Sequence, residues 1–290
     1  MLLFSVFAAA PGTRGGCRRR RLVHRLYGRV VIEYGRHLKA ESAKFAAAIS
    51  QLDPSTAVPT CPGWTASDLV WHLTEVQMFW AAIVEGRLSD PAEAEHSKMG
   101  RPATHLELLE LCATQSSRLV RALELTLDSE PLWTWSGDST AGFVRRRQTH
   151  EALIHRLDAE ATAGYLTDLD PQLAADGIDE VLGVFVGGIP SWAEFEPDGP
   201  LVGIAATDTG HRWTVRLGRM IGVSPSSGTP YDLPAVEATA TADVLAVAVE
   251  GPAANLDAWL WGRGPIERLT VDGAVDAALA LRAIVEEATQ

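Results

Sequence analysis

The stretch VPTCPGWTASDLVWHL, residues 58–73, contains a helix boundary that organises the N-terminal half of the chain. Two prolines and a glycine in its first half are typical of a loop that ends one helix before the next begins. Thr65 and Asp68 then have the spacing of a capping box, in which each side chain accepts a hydrogen bond from the other residue's backbone N–H. The pattern predicts a helix over roughly 66–86.

Helical periodicity and capping signals predict four further helices around this stretch. Thr104 and Glu107 form a second capping box. The expected ranges are about 33–52, 104–127, 141–162 and 171–186. The loops between the first helices are short to moderate, so we expect antiparallel neighbours and a helical bundle.

Beyond residue 198, the sequence changes to a pattern typical of strands. LVGIAATDTGHRWTVRLG predicts two strands joined by an Asp-Thr-Gly turn. Further strands and two helices are expected after it. The sequence therefore predicts an α plus α+β fold, with a helical bundle over 31–190 and a smaller α+β domain over 198–290.

A second stretch, THEALIHRLDAE at residues 149–160, resembles the zinc-peptidase pattern His-Glu-x-x-His but has one residue too many. Because a helix turns about 100° per residue, His150 and His155 would point about 140° apart and cannot easily share an ion. Glu151 and His155 are four residues apart, so they lie on one helical face and can chelate a metal. Glu151 would then be a ligand and not a general base, and His150 is expected either to support a ligand or to be structural.

His72 is the best candidate for a third ligand, because it lies between Leu69 and Val76 on the apolar face of its helix. Bundles build metal sites from side chains on facing helices. With Glu151 and His155, it would form a His₂Glu set suited to Zn²⁺ or a similar divalent ion. From spacing alone the alternative stays open, in which His72 is a hydrogen-bonded core residue and the other two form a pair that only stabilises their helix.

Residues 58–73 and 149–160 together resemble the two signatures of the mycothiol-dependent maleylpyruvate isomerase family. This family belongs to the DinB-like four-helix bundles. The similarity extends over about 31–290, and LDAWLWGRGP followed by LTVDG resembles the family's C-terminal domain. The resemblance implies a DinB-like four-helix bundle followed by an α+β domain of sterol-carrier-like form.

The resemblance also implies a divalent metal, expected to be zinc, on His72, Glu151 and His155, with mycothiol as the thiol cofactor. The family's reaction converts maleylpyruvate to fumarylpyruvate by cis–trans isomerisation. A metal lowers the pKa of a bound thiol. The thiolate adds to the double bond, the resulting single bond rotates, and elimination gives the trans product. Proteins that share a fold often act on different substrates. Transfer of the thiol to a small electrophile therefore remains an alternative to isomerisation.

A substrate with two carboxylates needs a cationic anchor, and Arg263 in the segment WLWGRGP is the candidate. The alternative is an arginine that interacts with the dipole of the preceding helix. Arg156 and Asp158, next to the second histidine of the metal set, are expected to orient the helix or that ligand.

Composition and charge limit the classes of partner. The net charge of −12 argues against a general nucleic-acid binder. Residues 1–30 contain seven arginines and no acidic residue, and are expected to be a disordered or mis-extended tail. No transmembrane segment is expected. Three scattered cysteines favour a reducing compartment, so the expected location is cytoplasmic. Peripheral membrane association and the oligomeric state, monomer or homo-oligomer, stay open.

Two other functions remain open at this level. One is a metal-dependent hydrolase in which the open metal position activates water. It lacks an evident base once Glu151 is a ligand. The other is a non-enzymatic protein whose C-terminal domain binds a lipid or another small apolar molecule.

Overall fold

A computed structural model describes residues 31–240 and 244–289 of the chain. The contacts among them divide into a helical unit over Glu33–Thr167 and a second unit that begins at Asp168. The expected tail at 1–30 lies outside the described residues. In the described ranges, no helix is at once long and apolar enough to cross a bilayer.

The helical unit contains four long helices and one short helix among the described residues. They are α1 Tyr34–Ile49, α2 Ala66–Gly86, α3 Pro91–Ser97, α4 His105–Glu124 and α5 Ala141–Thr162. The predicted bounds hold for α2 and α5, whereas α1 and α4 each end before the predicted residue. The short α3 was not predicted; it begins with a proline at its first turn, and Asp90 caps it.

Both predicted capping boxes are present. The Thr65 hydroxyl accepts from the Asp68 N–H at 3.2 Å, and the Asp68 carboxylate accepts from the Thr65 N–H at 3.0 Å. Thr104 and Glu107 make the same pair of bonds at the start of α4. The first turns of α2 and α4 are therefore fixed by their own sequence, which sets where the side chains of α2 point.

The four long helices pack in a ring, in which α1 contacts α4 and α5, and α2 also contacts α4 and α5. Thr149 of α5 donates to the Tyr34 carbonyl near the start of α1. About two turns further along both helices, the Arg156 guanidinium lies 3.0 Å from the Glu41 carboxylate. From the first contact to the second, the residue number increases on both helices, so α1 and α5 run parallel.

The helices α2 and α4 also run parallel, which differs from the antiparallel neighbours expected from loop length. Cys112 bonds to Thr74, and Arg118 bonds to Glu85 at 2.7 Å, so both helices advance in the same direction. The segment 87–104 between them contains α3 and is long enough to return along the bundle.

The second unit combines three helices and a five-stranded sheet among the described residues. Its helices are α6 Pro171–Glu180, which continues into a π-helical turn at Val181–Phe185, α7 Ala253–Leu260 and α8 Val275–Thr289. Its strands are β1 Ala193–Ala206, β2 Arg212–Val223, β3 Pro230–Ala238, β4 Val247–Gly251 and β5 Thr270–Gly273. The order is β3-β2-β1-β4-β5; β1 and β4 are parallel and the other pairs antiparallel. The predicted fold class, helices followed by an α+β unit, is confirmed.

The helix α6 packs against α7, within the second unit. A side chain at Gly177 would meet the buried Asp257 carboxylate at 2.8 Å, so glycine allows the two helices to approach closely there. The predicted domain ranges, 31–190 and 198–290, placed α6 in the first domain. They stay a prediction, and the packing of α6 favours a boundary near Thr167.

Candidate metal centre

His72, Glu151 and His155 lie together where α2 passes α5, and one ligand atom of each lies within 4.8 Å of the others. Glu151 Oε1 is 3.2 Å from His72 Nε2 and 3.2 Å from His155 Nε2. In a tetrahedral site with ligand atoms at about 2.0–2.1 Å from zinc, neighbouring ligand atoms are about 3.3 Å apart. The two separations from Glu151 Oε1 are close to the edge of such a tetrahedron, and two imidazoles with one carboxylate are a donor set that a divalent ion accepts.

The phase of α5 explains which of its residues join this group. Glu151 and His155 are one turn apart and face α2, whereas His150, the residue before Glu151, points about 100° away from it. His150 is fully buried, and its ring lies against Tyr34 of α1 at 6.4 Å. His150 and His155 therefore point to different sides of α5, as their spacing in the sequence predicts.

The Glu151 carboxylate is engaged at both oxygens. Its Oε2 accepts from the Arg147 guanidinium at 2.6 Å, one helical turn earlier. Burial alone would raise the pKa of Glu151, but hydrogen bonds to His155 and His72 and the charge of Arg147 hold it well below its usual range. The carboxylate is therefore ionised at neutral pH and suited to be a ligand.

Asp158 orients His155 from the side away from Glu151. Its Oδ2 lies 2.9 Å from His155 Nδ1, and the carboxylate is fully buried. A proton held on Nδ1 leaves the lone pair of Nε2 directed at the ligand group. Burial would lower the pKa of His155, but the hydrogen bonds to Asp158 and Glu151 raise it to about 9. Without a metal, this histidine carries a proton that an ion must displace.

Asp158 is itself held by the loop that precedes α2. Thr60 donates to Oδ1 at 2.5 Å, and the Cys61 thiol donates to Oδ2 at 3.5 Å. The sequence indicated a supporting role for Asp158, but no spacing rule connects it with Thr60 and Cys61. The only signal for them is their place in the same sequence block as His72.

Trp64 forms one wall of the centre and was not predicted. Its ring centroid lies 4.9 Å from that of His72 and 6.4 Å from that of His155, the latter nearly parallel. The His72 side chain is 36% exposed, in contrast to 10% for His155. His72 therefore sits at the edge of the apolar face of α2, and the centre opens to solvent on that side.

The other predicted residues lie away from the ligand group or in the second unit. Arg156 is fully buried, and it contacts Glu41 and donates to Thr167 at 2.6 Å, so it ties α5 to its neighbours. Arg263 follows α7, and its guanidinium donates to the Trp261 carbonyl at 2.5 Å. Its assignment as the substrate anchor stays a prediction.

Two family models match the chain: the Mycothiol maleylpyruvate isomerase N-terminal domain at residues 36–160 and the MDMPI C-terminal domain at residues 172–282. Two solved structures share its fold, one of the mycothiol-dependent maleylpyruvate isomerase and one of a histidine-to-alanine mutant of that enzyme. Both are 15% identical, with TM-scores of 0.56 and 0.57, and each comparison covers 83% of this chain and 92% of the other. No curated protein matches.

Proposed function

The chain belongs to the mycothiol maleylpyruvate isomerase family, a family of enzymes, and we propose that it binds a divalent metal and uses mycothiol on a small electrophilic substrate. The observation that carries this proposal is Glu151 Oε1, which faces the Nε2 atoms of His72 and His155 at 3.2 Å each. Zinc is the proposed ion because two imidazoles and one carboxylate form one of its usual three-ligand sets.

His72, Glu151 and His155 would hold the ion and leave one position for a thiol. When bound, the ion supplies Lewis acidity that lowers the pKa of a thiol into the neutral range. The residues around it keep the ligands in place: Arg147 fixes the carboxylate of Glu151, and Asp158 fixes the tautomer of its histidine partner. Access is from the side of His72, beside the Trp64 ring.

The proposed chemistry is addition of the thiolate sulfur to an electrophilic carbon–carbon double bond. Formation of the S–C bond converts the double bond to a single bond. The electron pair of the former π bond moves onto the adjacent carbonyl. Rotation followed by loss of the thiolate restores the double bond as the trans isomer with no net proton change. If a proton is added to the carbon instead, the S–C bond is retained, and the outcome is thiol transfer.

The hydrolase hypothesis receives less support from this geometry. A hydrolase needs a base that accepts a proton from water. Glu151 is engaged by Arg147 at one oxygen and by two histidines at the other. The buried Asp158 is occupied by His155, Thr60 and Cys61.

Metal analysis of the purified protein tests the proposal. We expect about one zinc ion per chain, as three protein ligands define one site. His72→Ala and His155→Ala should each lose most of it, whereas His96→Ala, at an exposed position on α3, should retain it. Full retention of metal in both ligand variants would rule out the assigned site.

A further inference from the structure

The loop of residues 58–64, which precedes α2, is held in one conformation by its own backbone. The Val58 N–H donates to the Trp64 carbonyl at 2.9 Å, and the Trp64 N–H donates to the Cys61 carbonyl at 3.0 Å. Gly63 has a φ of +84°, in the left-handed region that glycine adopts without strain. Val58 is buried in the core of the helical unit. The side chains of this loop therefore have fixed positions relative to α2.

The loop contacts both helices that carry the candidate metal centre. On α2, the His72 ring lies 4.9 Å from the Trp64 ring. On α5, the Asp158 carboxylate lies between the loop and the second histidine: Oδ1 accepts from the Thr60 hydroxyl at 2.5 Å, and Oδ2 lies 2.9 Å from His155 Nδ1. One short segment thus reaches both proposed histidine ligands, the first directly and the second through one carboxylate.

The Thr60 hydroxyl fixes the rotation of the Asp158 carboxylate. The χ2 torsion of an aspartate has only a broad preference, so hydrogen bonds decide which way each oxygen faces. With Thr60 on Oδ1, Oδ2 is directed at His155. The Cys61 thiol also reaches Oδ2, but at 3.5 Å and as a weak donor. Asp158 is fully buried, so bulk water does not simply replace a lost hydroxyl donor.

We propose that Thr60 is a positioning residue of the metal centre, which acts on His155 through Asp158. This inference rests on the proposed function, because it takes His155 as a metal ligand. The hydroxyl holds the carboxylate, the carboxylate holds the imidazole at Nδ1, and Nε2 then faces Glu151 Oε1 at 3.2 Å. Since Thr60 belongs to the segment that leads directly into α2, the same loop sets the position of His72 relative to His155.

Zinc affinity of the full-length protein, measured by chelator competition, tests the proposal. Valine has nearly the shape of threonine but cannot donate, so Thr60→Val should lower the affinity by about three- to tenfold, the range of one net hydrogen bond. Thr60→Ser keeps the hydroxyl and should retain most of the affinity. Thr114→Val, the same substitution at an exposed position on α4, should have no effect. Equal affinity in Thr60→Val and the parent protein would overturn the proposal.

A double-mutant cycle separates the positioning role from a general effect on the fold. In Asp158→Ala, the carboxylate through which Thr60 acts is absent, so the addition of Thr60→Val should change zinc affinity little further. Circular dichroism checks that the helices remain in each variant. If the two substitutions lower the affinity additively, Thr60 does not act through Asp158.

The metal-free protein gives a readout that does not depend on the proposed function. The proton between His155 Nδ1 and the buried Asp158 should give a downfield nuclear magnetic resonance signal, assigned by its absence in His155→Ala. Thr60→Val should shift or broaden this signal, and Thr60→Ser should preserve it. An unchanged signal in Thr60→Val contradicts the inference. A changed signal in a protein whose parent binds no zinc supports the positioning role and overturns the proposed function alone.

Discussion

In the candidate metal centre, Asp158 joins the loop before α2 to a proposed ligand on α5. Its carboxylate bonds to His155 Nδ1 at 2.9 Å and accepts from Thr60 at 2.5 Å. A buried carboxylate with these partners holds the imidazole in one tautomer and one orientation, which raises its basicity as a ligand. The order of the centre therefore depends on a residue that is not itself a proposed ligand.

Replacement of Asp158 by asparagine should weaken zinc binding by about 10- to 100-fold. The amide is neutral, so it no longer stabilises a proton on His155 Nδ1. Competition with a chelator of known affinity measures the change, and circular dichroism checks that the helices remain. Glu110→Gln, at an exposed position on α4, is the control. Equal zinc affinity in Asp158→Asn and the parent protein would show that the carboxylate does not support the site.

The raised pKa of His155 predicts a dependence of metal affinity on pH. Its value is about 9 without metal, and an ion binds only the neutral imidazole. Below pH 9 the ion must displace this proton, so the apparent affinity should rise about tenfold per pH unit between pH 6.5 and 8.5. Chelator competition at several pH values measures the slope. A flat profile over this interval contradicts the assignment of His155 as a ligand.

Among the elements, α2 depends most clearly on its own N-terminal sequence. The Thr65 hydroxyl accepts from the Asp68 N–H, and the first turn also holds Arg101 against Asp68 at 2.7 Å. Hydrogen bonds from Thr65 and Arg101 lower the pKa of Asp68 to about 2. The carboxylate therefore stabilises the fold above its unfolded pKa near 3.8, and this contribution is lost as the pH falls through 2.

Thr65→Ala should lower the free energy of unfolding by about 1 kcal/mol at neutral pH, because a capping hydrogen bond is lost. Thr65→Ser keeps the hydroxyl and should lose only a fraction of this. Urea denaturation of the metal-free protein measures both values. Equal destabilisation by alanine and serine would show that the threonine methyl, and not the capping bond, accounts for the effect.

The elements also show the limit of prediction from sequence. Local signals placed α2 and α5 correctly, because capping residues and apolar periodicity act within one helix. The parallel direction of α2 and α4 was missed, since it depends on the returning segment 87–104, whose path is set by packing. The contact of Thr60 with Asp158 was missed for the same reason: it joins residues far apart in sequence.

For the whole molecule, family membership and fold class agree with the sequence prediction, whereas the domain boundary and the substrate anchor remain predictions. The helical periodicity of residues 171–186 does not indicate whether α6 packs on the bundle or on α7. Arg263 lies in the second unit, so sequence spacing cannot relate it to the proposed ligands in the helical unit. These are questions of long-range packing.

Metal removal should lower the thermal stability of the whole chain. A ligand that binds only the folded state stabilises it by about 2.7 kcal/mol when its concentration is 100 times its dissociation constant. We expect a chelator to lower Tm by several degrees, with recovery on addition of zinc. His72→Ala should not respond to either treatment. A zinc-dependent rise of Tm in this variant equal to that of the parent protein would place the stabilising ion elsewhere.

The most direct test of the proposed thiol chemistry is X-ray absorption spectroscopy of the zinc-loaded protein, in the Cys61→Ser variant so that its nearby thiol cannot contribute. We expect nitrogen and oxygen ligands alone before mycothiol is added, and a sulfur ligand at about 2.3 Å afterwards. Glutathione should not produce it. Bound zinc that acquires no sulfur ligand with mycothiol would contradict the proposal that the thiol binds to the metal.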